Sequence, residues 1–160
     1  MTNGEVKIRG MVDDDLPRVH EIDRLLFGEE RVPTWPFSFE TYWEIYHPKL
    51  SFVAEVDGRV VGFLVGNIVQ EEHSQSILRL THLAGRYSRD RQVGWIDMMG
   101  ILPDYQHRQI GRKLVEAFQQ ECQHTNAPIR GIVRDNDEKL RNFLIKAGFK
   151  KWDIATYEKD

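Results

Sequence analysis

The sequence predicts an α/β (α+β) domain in which a mixed central β-sheet is flanked by helices on both faces. Three observations carry this reading. Apolar positions alternate between runs of period 2 and runs of period 3.6 along the whole chain. Asp57-Gly58 stands between two runs rich in β-branched residues, a strong hairpin signal because that turn needs positive φ. A strand, a helix and a strand follow one another between Gly94 and Val133, which calls for a right-handed parallel crossover.

The elements follow in order. Val6 to Met11 reads as a short strand. Asp14 or Asp15 then caps a helix that tolerates Pro17 in its first turn and carries Leu16, Val19, Ile22 and Leu26 on one face. An aromatic helix covers Phe39 to Tyr46 and stops before Pro48. Ser51 to Val56 and Arg59 to Val65 are the hairpin strands. Residues 71–92 are polar and carry no clear period. Gly94 to Leu102 reads as a strand, and Gly111 to Gln123 as a helix with Leu114, Val115, Phe118 and Cys122 on one side. Ile129 to Val133 is the next strand. Leu140, Phe143, Leu144 and Ala147 form a helical stripe closed by Gly148. Trp152 to Tyr157 is a candidate last strand.

At 160 residues the chain fits one domain, and no repeat, low-complexity tract or linker divides it. Its hydrophobic fraction of 41% and charged fraction of 29% are those of a globular protein. A net charge of −3 gives no global reason to expect nucleic acid or a membrane surface as partner. Cys122 is the lone cysteine, so a disulfide within the chain is excluded and a reducing compartment fits. The start of the chain lacks the apolar core of a signal peptide, and the expected location is cytoplasmic. His82 and His124 show no metal-ligand spacing, so no metal is expected.

The informative segment runs from Ile101 to Leu114. A helix start carries unpaired N–H groups and about half a positive charge, where acids or hydroxyls are the usual occupants. Here Arg108, Arg112 and Lys113 cluster instead, with no acid between Tyr105 and Lys113. Each cation there costs roughly 0.3–1 kcal/mol. An anion filling the site, such as a diphosphate, removes the conflict; a solvated basic helix start is the alternative. Gly111 suits the first reading, because it lets a phosphate approach the backbone. Neither a P-loop nor a Gly-x-Gly-x-x-Gly dinucleotide motif is present.

The same segment resembles the signature of the GNAT superfamily of acyl-CoA-dependent N-acetyltransferases. Ile101-Leu102-Pro103 matches its strand end, and Gln106-His107-Arg108-Gln109-Ile110-Gly111 matches its Gln/Arg-x-x-Gly-x-Gly/Ala helix opening. A second block, Ile129 to Phe149, contains Asp135-Asn136 and ends in Lys146-Ala-Gly-Phe149 as the family's does. The resemblance implies a single N-acetyltransferase domain over residues 1–160. Its cofactor half lies at about 94–149 and its acceptor half at about 5–92. It also implies acetyl-CoA as co-substrate, with pantetheine in a gap between the strands at 95–102 and 129–133. Backbone groups of Met99, Gly100 and Ile101 would hold the pantetheine, and the N–H groups of His107 to Arg112, opened by Gln106, the diphosphate. Asn136 would reach the pantetheine arm, or serve as a helix N-cap. Gly100 fits a bulge or close ligand approach, or a packing glycine.

Two departures from the family pattern stand out. Gln109 replaces its first glycine, which leaves an N–H available if φ is negative. Leu144 stands where many members carry a tyrosine that protonates the departing thiolate. Another group, water or no acid would serve, since a free thiol has a pKa of about 8.5.

A primary amine with a pKa of about 10.4 costs roughly 4–5 kcal/mol to deprotonate at neutral pH, so a base helps. Asp97 is the leading candidate. Period 2 places Trp95, Asp97, Met99 and Ile101 on one face, and a carboxylate in an apolar strand is unusual; a structural ion pair or a water-bonded Asp is the alternative. Glu71, Glu72 and His73 are further candidate bases acting through water, and Tyr157 a distant candidate acid. By resemblance the N–H near Met99 faces the oxyanion. A related branch acetylates ribosomal-protein alanine, but its glutamate position falls here on Gly131 or Ile132. That argues against its substrate, despite the similar Trp35-Pro36 region.

Phe39, Tyr42, Trp43 and Tyr46 form either core or an acceptor pocket, with Trp35 and Phe37 nearby in sequence. Arg79, Arg86, Arg89 and Arg91 lie in the long connection and would suit an acidic group on the acceptor. The expected acceptor is a small-molecule or peptide amine. A non-catalytic acyl-CoA sensor or an interaction module on the same fold is the competing reading. Eleven residues follow Phe149 where members of the resembled family often have two strands, so the resemblance implies an open sheet edge that a second subunit could cover, and a homodimer is the hypothesis.

Overall fold

A computed structural model describes residues 4–28, 37–70, 92–152 and 159. Its elements are β1 (Val6–Gly10), α1 (Leu16–Phe27), α2 (Phe39–Tyr46), β2 (Leu50–Val56), β3 (Arg59–Gln70), β4 (Gln92–Ile101), α3 (Ile110–Gln123), β5 (Ile129–Gly131) and α4 (Glu138–Lys146). One sheet runs in the order β1-β2-β3-β4-β5. Its first three pairings are antiparallel and β4–β5, joined through α3, is parallel. This is the mixed sheet expected from the sequence.

The two sheet faces hold separate cores. Val19 and Ile22 of α1 and Phe39 and Tyr42 of α2 pack with Val53, Phe63, Val65 and Met98 on one face. Leu114, Val115, Phe118 and Cys122 of α3 pack with Ala54, Val61 and Leu64 on the other. Period 2 in the strands sends alternate residues to each core, except at Val61, an inserted residue opposite Ala54 and Glu55 that joins Leu64 on the α3 side. Asp57 and Gly58 take φ of 50° and 75°, the two left-handed positions a tight hairpin needs.

Several boundaries differ from the sequence reading. Residues 13–15 form a short 3₁₀ turn, and Asp15 does not cap α1. Its carboxylate turns back to accept from the Val12 N–H at 2.9 Å and from Arg9, whose guanidinium also binds Glu55. β3 runs past Val65 to Gln70 because Gly66 to Gln70 pair with residues 92–96 of β4. β5 stops at Gly131 rather than Val133, because β4 offers it no partner beyond Ile96. Asp137, not Asn136, caps α4, accepting from the Leu140 N–H at 2.9 Å. The expected strand at Trp152 to Tyr157 falls, beyond Lys151 and Trp152, outside the described residues. So do Trp35-Pro36, Glu71, Glu72, His73, His82, Tyr157 and the four arginines of the long connection.

Candidate active site

The site begins with one extra residue in β4. Gly66 pairs with Ile96 and Val65 with Met98, which leaves Asp97 as the inserted residue of a β-bulge. The strand's alternation breaks there. Met98 reaches the core under α1 and α2, while Ile96, Met99 and Ile101 reach the core under α3. Asp97 turns toward α2, so Asp97 and Met99 lie on opposite faces. The shared face expected from simple alternation is corrected by this bulge. The bulge also falls at Asp97 rather than at Gly100. A Cβ on Gly100 would come within 2.7 Å of Leu26 Cδ1 and 2.9 Å of Phe63 Cε1. Gly100 is therefore a packing glycine, small enough for α1 to sit on β4.

Asp97 is enclosed by polar partners. The Tyr42 hydroxyl donates to Asp97 Oδ2 at 2.7 Å, and the Asn67 side-chain amide donates to the same oxygen at 3.4 Å. The Lys49 N–H donates to Asn67 Oδ1 at 3.1 Å, which fixes the amide so that its nitrogen faces Asp97. Burial pushes the Asp97 carboxyl above its ordinary value, against the opposing pull of Tyr42 and Asn67. Burial, and then the adjacent Asp97 charge, push the Tyr42 phenol far above its ordinary range. A carboxylate so placed is a better proton acceptor than one in water, and the phenol beside it keeps its proton.

Next to the bulge the sheet opens. Parallel pairing of β4 and β5 ends at Ile96 and Gly131, and a cleft of about 80 Å³ follows. Asp97, Met98 and Met99 line one side, Ile132 and Val133 the other, and Leu140, Leu144 and Phe149 contribute apolar wall. The gap expected between these strands is present. Leu144 gives it an apolar surface where a tyrosine would give a hydroxyl.

Beyond β4 the chain turns into α3. His107 and Gln109 take φ of 65° and 60°. Left-handed backbone costs a non-glycine residue about 1–2 kcal/mol. The negative φ that Gln109 would need is therefore not what the chain adopts, and the local cost is accepted to shape the loop. Among the described residues, none of the backbone N–H groups from His107 to Arg112 has a hydrogen-bond acceptor; the Lys113 N–H is the first to bond back, to the Gln109 carbonyl at 3.0 Å. A left-handed residue followed by right-handed helical ones, as at Gln109 and Ile110, turns successive N–H groups to one side and makes an anion-binding concavity. No acid stands in the first turn of α3.

The side chains around this loop are more occupied than the sequence suggests. Arg112 pairs with Glu116 one turn on at 2.8 Å, and Arg108 lies over the Tyr105 ring at 5.2 Å. Gln106 donates to the Ile101 carbonyl at 3.0 Å and accepts from Lys139, tying β4, the loop and α4 together. Its N–H is spent on the Pro103 carbonyl, so Gln106 is a staple of the loop rather than one of its free donors. Gly111 also changes role. A Cβ there would lie 3.1 Å from Phe143 Cε2 and 3.2 Å from Ile101 Cδ1, so this glycine lets α3 pack against α4 and β4. Asn136 is exposed in the turn before α4.

The sequence points to Asp97, the cleft and the loop, but not to the partners of Asp97. A lone Asn67 in an apolar strand, and one tyrosine among the buried aromatics of α2, are the signals it offers for them. Gly66 opposite the bulge is another.

The fold has known counterparts. The acetyltransferase (GNAT) family model matches residues 16–149, and the chain belongs to that family. No curated protein matches the sequence. Solved structures share the fold at low identity. The aminoglycoside N-acetyltransferase AAC(6')-Iy in complex with CoA is 16% identical with a TM-score of 0.70, over 99% of this chain and 96% of that one. Arabidopsis thaliana Naa50 in complex with the bisubstrate analogue CoA-Ac-MVNAL is 19% identical with a TM-score of 0.66, over 92% and 85%. A ribosomal-protein-alanine N-acetyltransferase from Brucella melitensis is 13% identical with a TM-score of 0.67, over 98% and 99%.

Proposed function

We propose that this chain is an N-acetyltransferase that moves an acetyl group from acetyl-CoA to a primary amine of a small molecule or peptide. The observation that carries the reading is the row of N–H groups without an acceptor at His107 to Arg112, in the connection from the strand that borders the cleft to α3. These donors suit a diphosphate. The cleft, which Met99 lines, would take the pantetheine arm, with backbone groups of Met99, Gly100 and Ile101 holding it and Asn136, exposed in the turn before α4, reaching it from outside the cleft lining. Residues 94–149 form the cofactor half and residues 5–92 the acceptor half.

The reaction is a direct attack in a ternary complex. The amine nitrogen bonds to the thioester carbonyl carbon, the carbon–sulfur bond breaks, and the amine proton passes to Asp97. The oxyanion faces the N–H near Met99. The sulfur leaves with its electron pair as thiolate and takes its proton from water or another group; among the described residues at the cleft, Leu144 has no proton to give and the Tyr42 phenol holds its own. Bound CoA in a fold neighbour supports the choice of co-substrate.

The test is release of free CoA thiol from acetyl-CoA with a panel of polyamines, aminoglycosides and peptides with free α-amines. Thiol should appear only with an accepted amine, matched by a mass gain of one acetyl group on that amine. Acetyl-CoA binding with no thiol release across the panel would favour a non-catalytic acyl-CoA sensor, the reading that Leu144 supports.

A further inference from the structure

The aromatic core beside the site contains one residue whose chemistry packing does not require. Phe39, Tyr42 and Phe63 are all fully buried on the same sheet face. Two of them are phenylalanine. A hydroxyl at Tyr42 adds nothing to apolar packing and carries a desolvation cost unless it is hydrogen-bonded. Its acceptor is Asp97 Oδ2, at 2.7 Å. The same oxygen takes the Asn67 amide, whose orientation the Lys49 N–H fixes. Both donors therefore fall on Oδ2, and among the described residues none falls on Oδ1.

We infer that Tyr42 is the positioning residue for Asp97: with Asn67 it locks Oδ2 and leaves Oδ1 as the oxygen that accepts the amine proton. This rests on the reading of Asp97 as the base. A carboxylate on a bulge has no ladder neighbour to hold its rotamer, so the direction of its free lone pairs is set by these two donors. Tyr42 is well suited to the task. It is held on α2, whose start is capped by Ser38 and by Asp23, which accepts from the Phe39 N–H at 3.0 Å. Its proton is retained across the working pH range, so it donates permanently and is not itself the acid.

The groups facing Asp97 define what a pH measurement reads. From α2 they are Tyr42 and, behind it, Tyr46, whose ring stacks on Tyr42 at 5.5 Å. β3 contributes the uncharged Asn67. The cleft side contributes Gly131, Ile132, Val133, Leu140 and Leu144, none of them titratable. α1 packs on the same face of β4, and two of its titratable groups reach Phe39: Asp23, which accepts from the Phe39 N–H, and His20, whose ring lies 5.5 Å from that of Phe39.

The sign follows from these contacts. Tyr42 stabilises the ionised form of Asp97, so its hydroxyl holds the carboxyl pKa down against burial. Tyr42→Phe keeps the ring and removes only that donor. The Asp97 pKa should then rise, and the acidic limb of kcat/KM should move to higher pH, with kcat falling about tenfold at neutral pH and acetyl-CoA binding unchanged. Asn67→Leu should move the limb the same way.

Two measurements separate the possible failures. Asp97→Asn should lower kcat/KM by about 10²–10⁴; a rate left intact would sink the base assignment itself. If Asp97→Asn is inactive but Tyr42→Phe leaves the acidic limb in place, Asp97 stands as base and the positioning role of Tyr42 is wrong. Carboxyl ¹³C NMR titration of Asp97 reads the same effect without an acceptor. It should show a higher pKa in Tyr42→Phe than in the unsubstituted protein, and an equal or lower one overturns the inference.

Discussion

A Cβ on Gly66 would lie 2.0 Å from the Trp95 carbonyl oxygen and 2.8 Å from Phe118 Cε2. β3 and β4 approach this closely because the Asp97 bulge begins one pair further along. The absence of a side chain at Gly66 is what allows Asp97 to leave the regular alternation and face Tyr42.

Gly66→Ala should therefore harm stability and site together. Relieving the contact means moving backbone, not a flexible side-chain end. Overpacking of this kind costs about 1–3 kcal/mol. Chemical denaturation should show that loss, and the Asp97 carboxyl should titrate closer to an ordinary, solvated carboxylate. A variant of unchanged stability and unchanged Asp97 titration would mean that the bulge does not depend on Gly66.

Gly111 makes a milder prediction. Its missing Cβ faces the Phe143 ring edge and Ile101, both side chains that can yield. Gly111→Ala should cost about 1 kcal/mol, and Phe143→Leu in the same chain should recover part of it. Thermal melts of the single and double variants check this. Full additivity would contradict the contact.

Cys122 should be chemically inert. Burial, and secondarily Glu121, push its thiol up to about 11. Its side chain lies at the back of Gly94 under β4, fully buried. The thiolate is the reactive form, so a thiol-reactive disulfide reagent at neutral pH should titrate no cysteine in the folded protein and one after unfolding. Rapid labelling of the native chain would contradict this packing.

Arg9 predicts acid sensitivity. Its guanidinium holds the Asp15 carboxyl, at 2.7 Å, and the Glu55 carboxyl, at 2.9 Å, below their ordinary values. Groups with depressed folded-state pKa stabilise above the unfolded pKa, and that stability is lost as pH falls through the folded value. Arg9→Met should cost about 2 kcal/mol at neutral pH, since it strands a largely buried Asp15. It should cost much less in acid, where both carboxyls are protonated. A penalty that is the same at neutral and acid pH would contradict the network.

The frame of this protein is legible in its sequence for physical reasons. The stripes of α1, α3 and α4 and the Asp57-Gly58 turn each bury or bend the chain in only one sensible way, and misplaced cations mark the helix start after Ile101. What the sequence conceals depends on contacts between distant segments. The bulge at Asp97 adds no residue that a period-2 reading notices, so simple alternation puts Asp97 and Met99 together when they lie on opposite faces. Gly111 reads as a ligand-approach glycine and Gly100 as a bulge, ligand-approach or packing glycine, and a side chain from another element decides each, Phe143 and Leu26. Asp15 looks like a cap because nothing local reveals that Arg9 will claim it. Tyr42 looks like core and is core, but its hydroxyl only acquires meaning once β4 is beside it.

The proposed activity stands or falls on whether the loop from His107 to Arg112 binds the diphosphate of acetyl-CoA. Calorimetric titration with acetyl-CoA, on the unsubstituted protein and on Gln109→Asp, decides this. Aspartate tolerates the left-handed backbone and can cap α3, so the fold should survive, while its carboxylate competes with phosphate for the free N–H groups. Binding should be saturable at one site per chain, and weakened at least about tenfold in Gln109→Asp by the added charge. No binding to the unsubstituted protein, or equal binding to both, would contradict the assignment of this loop.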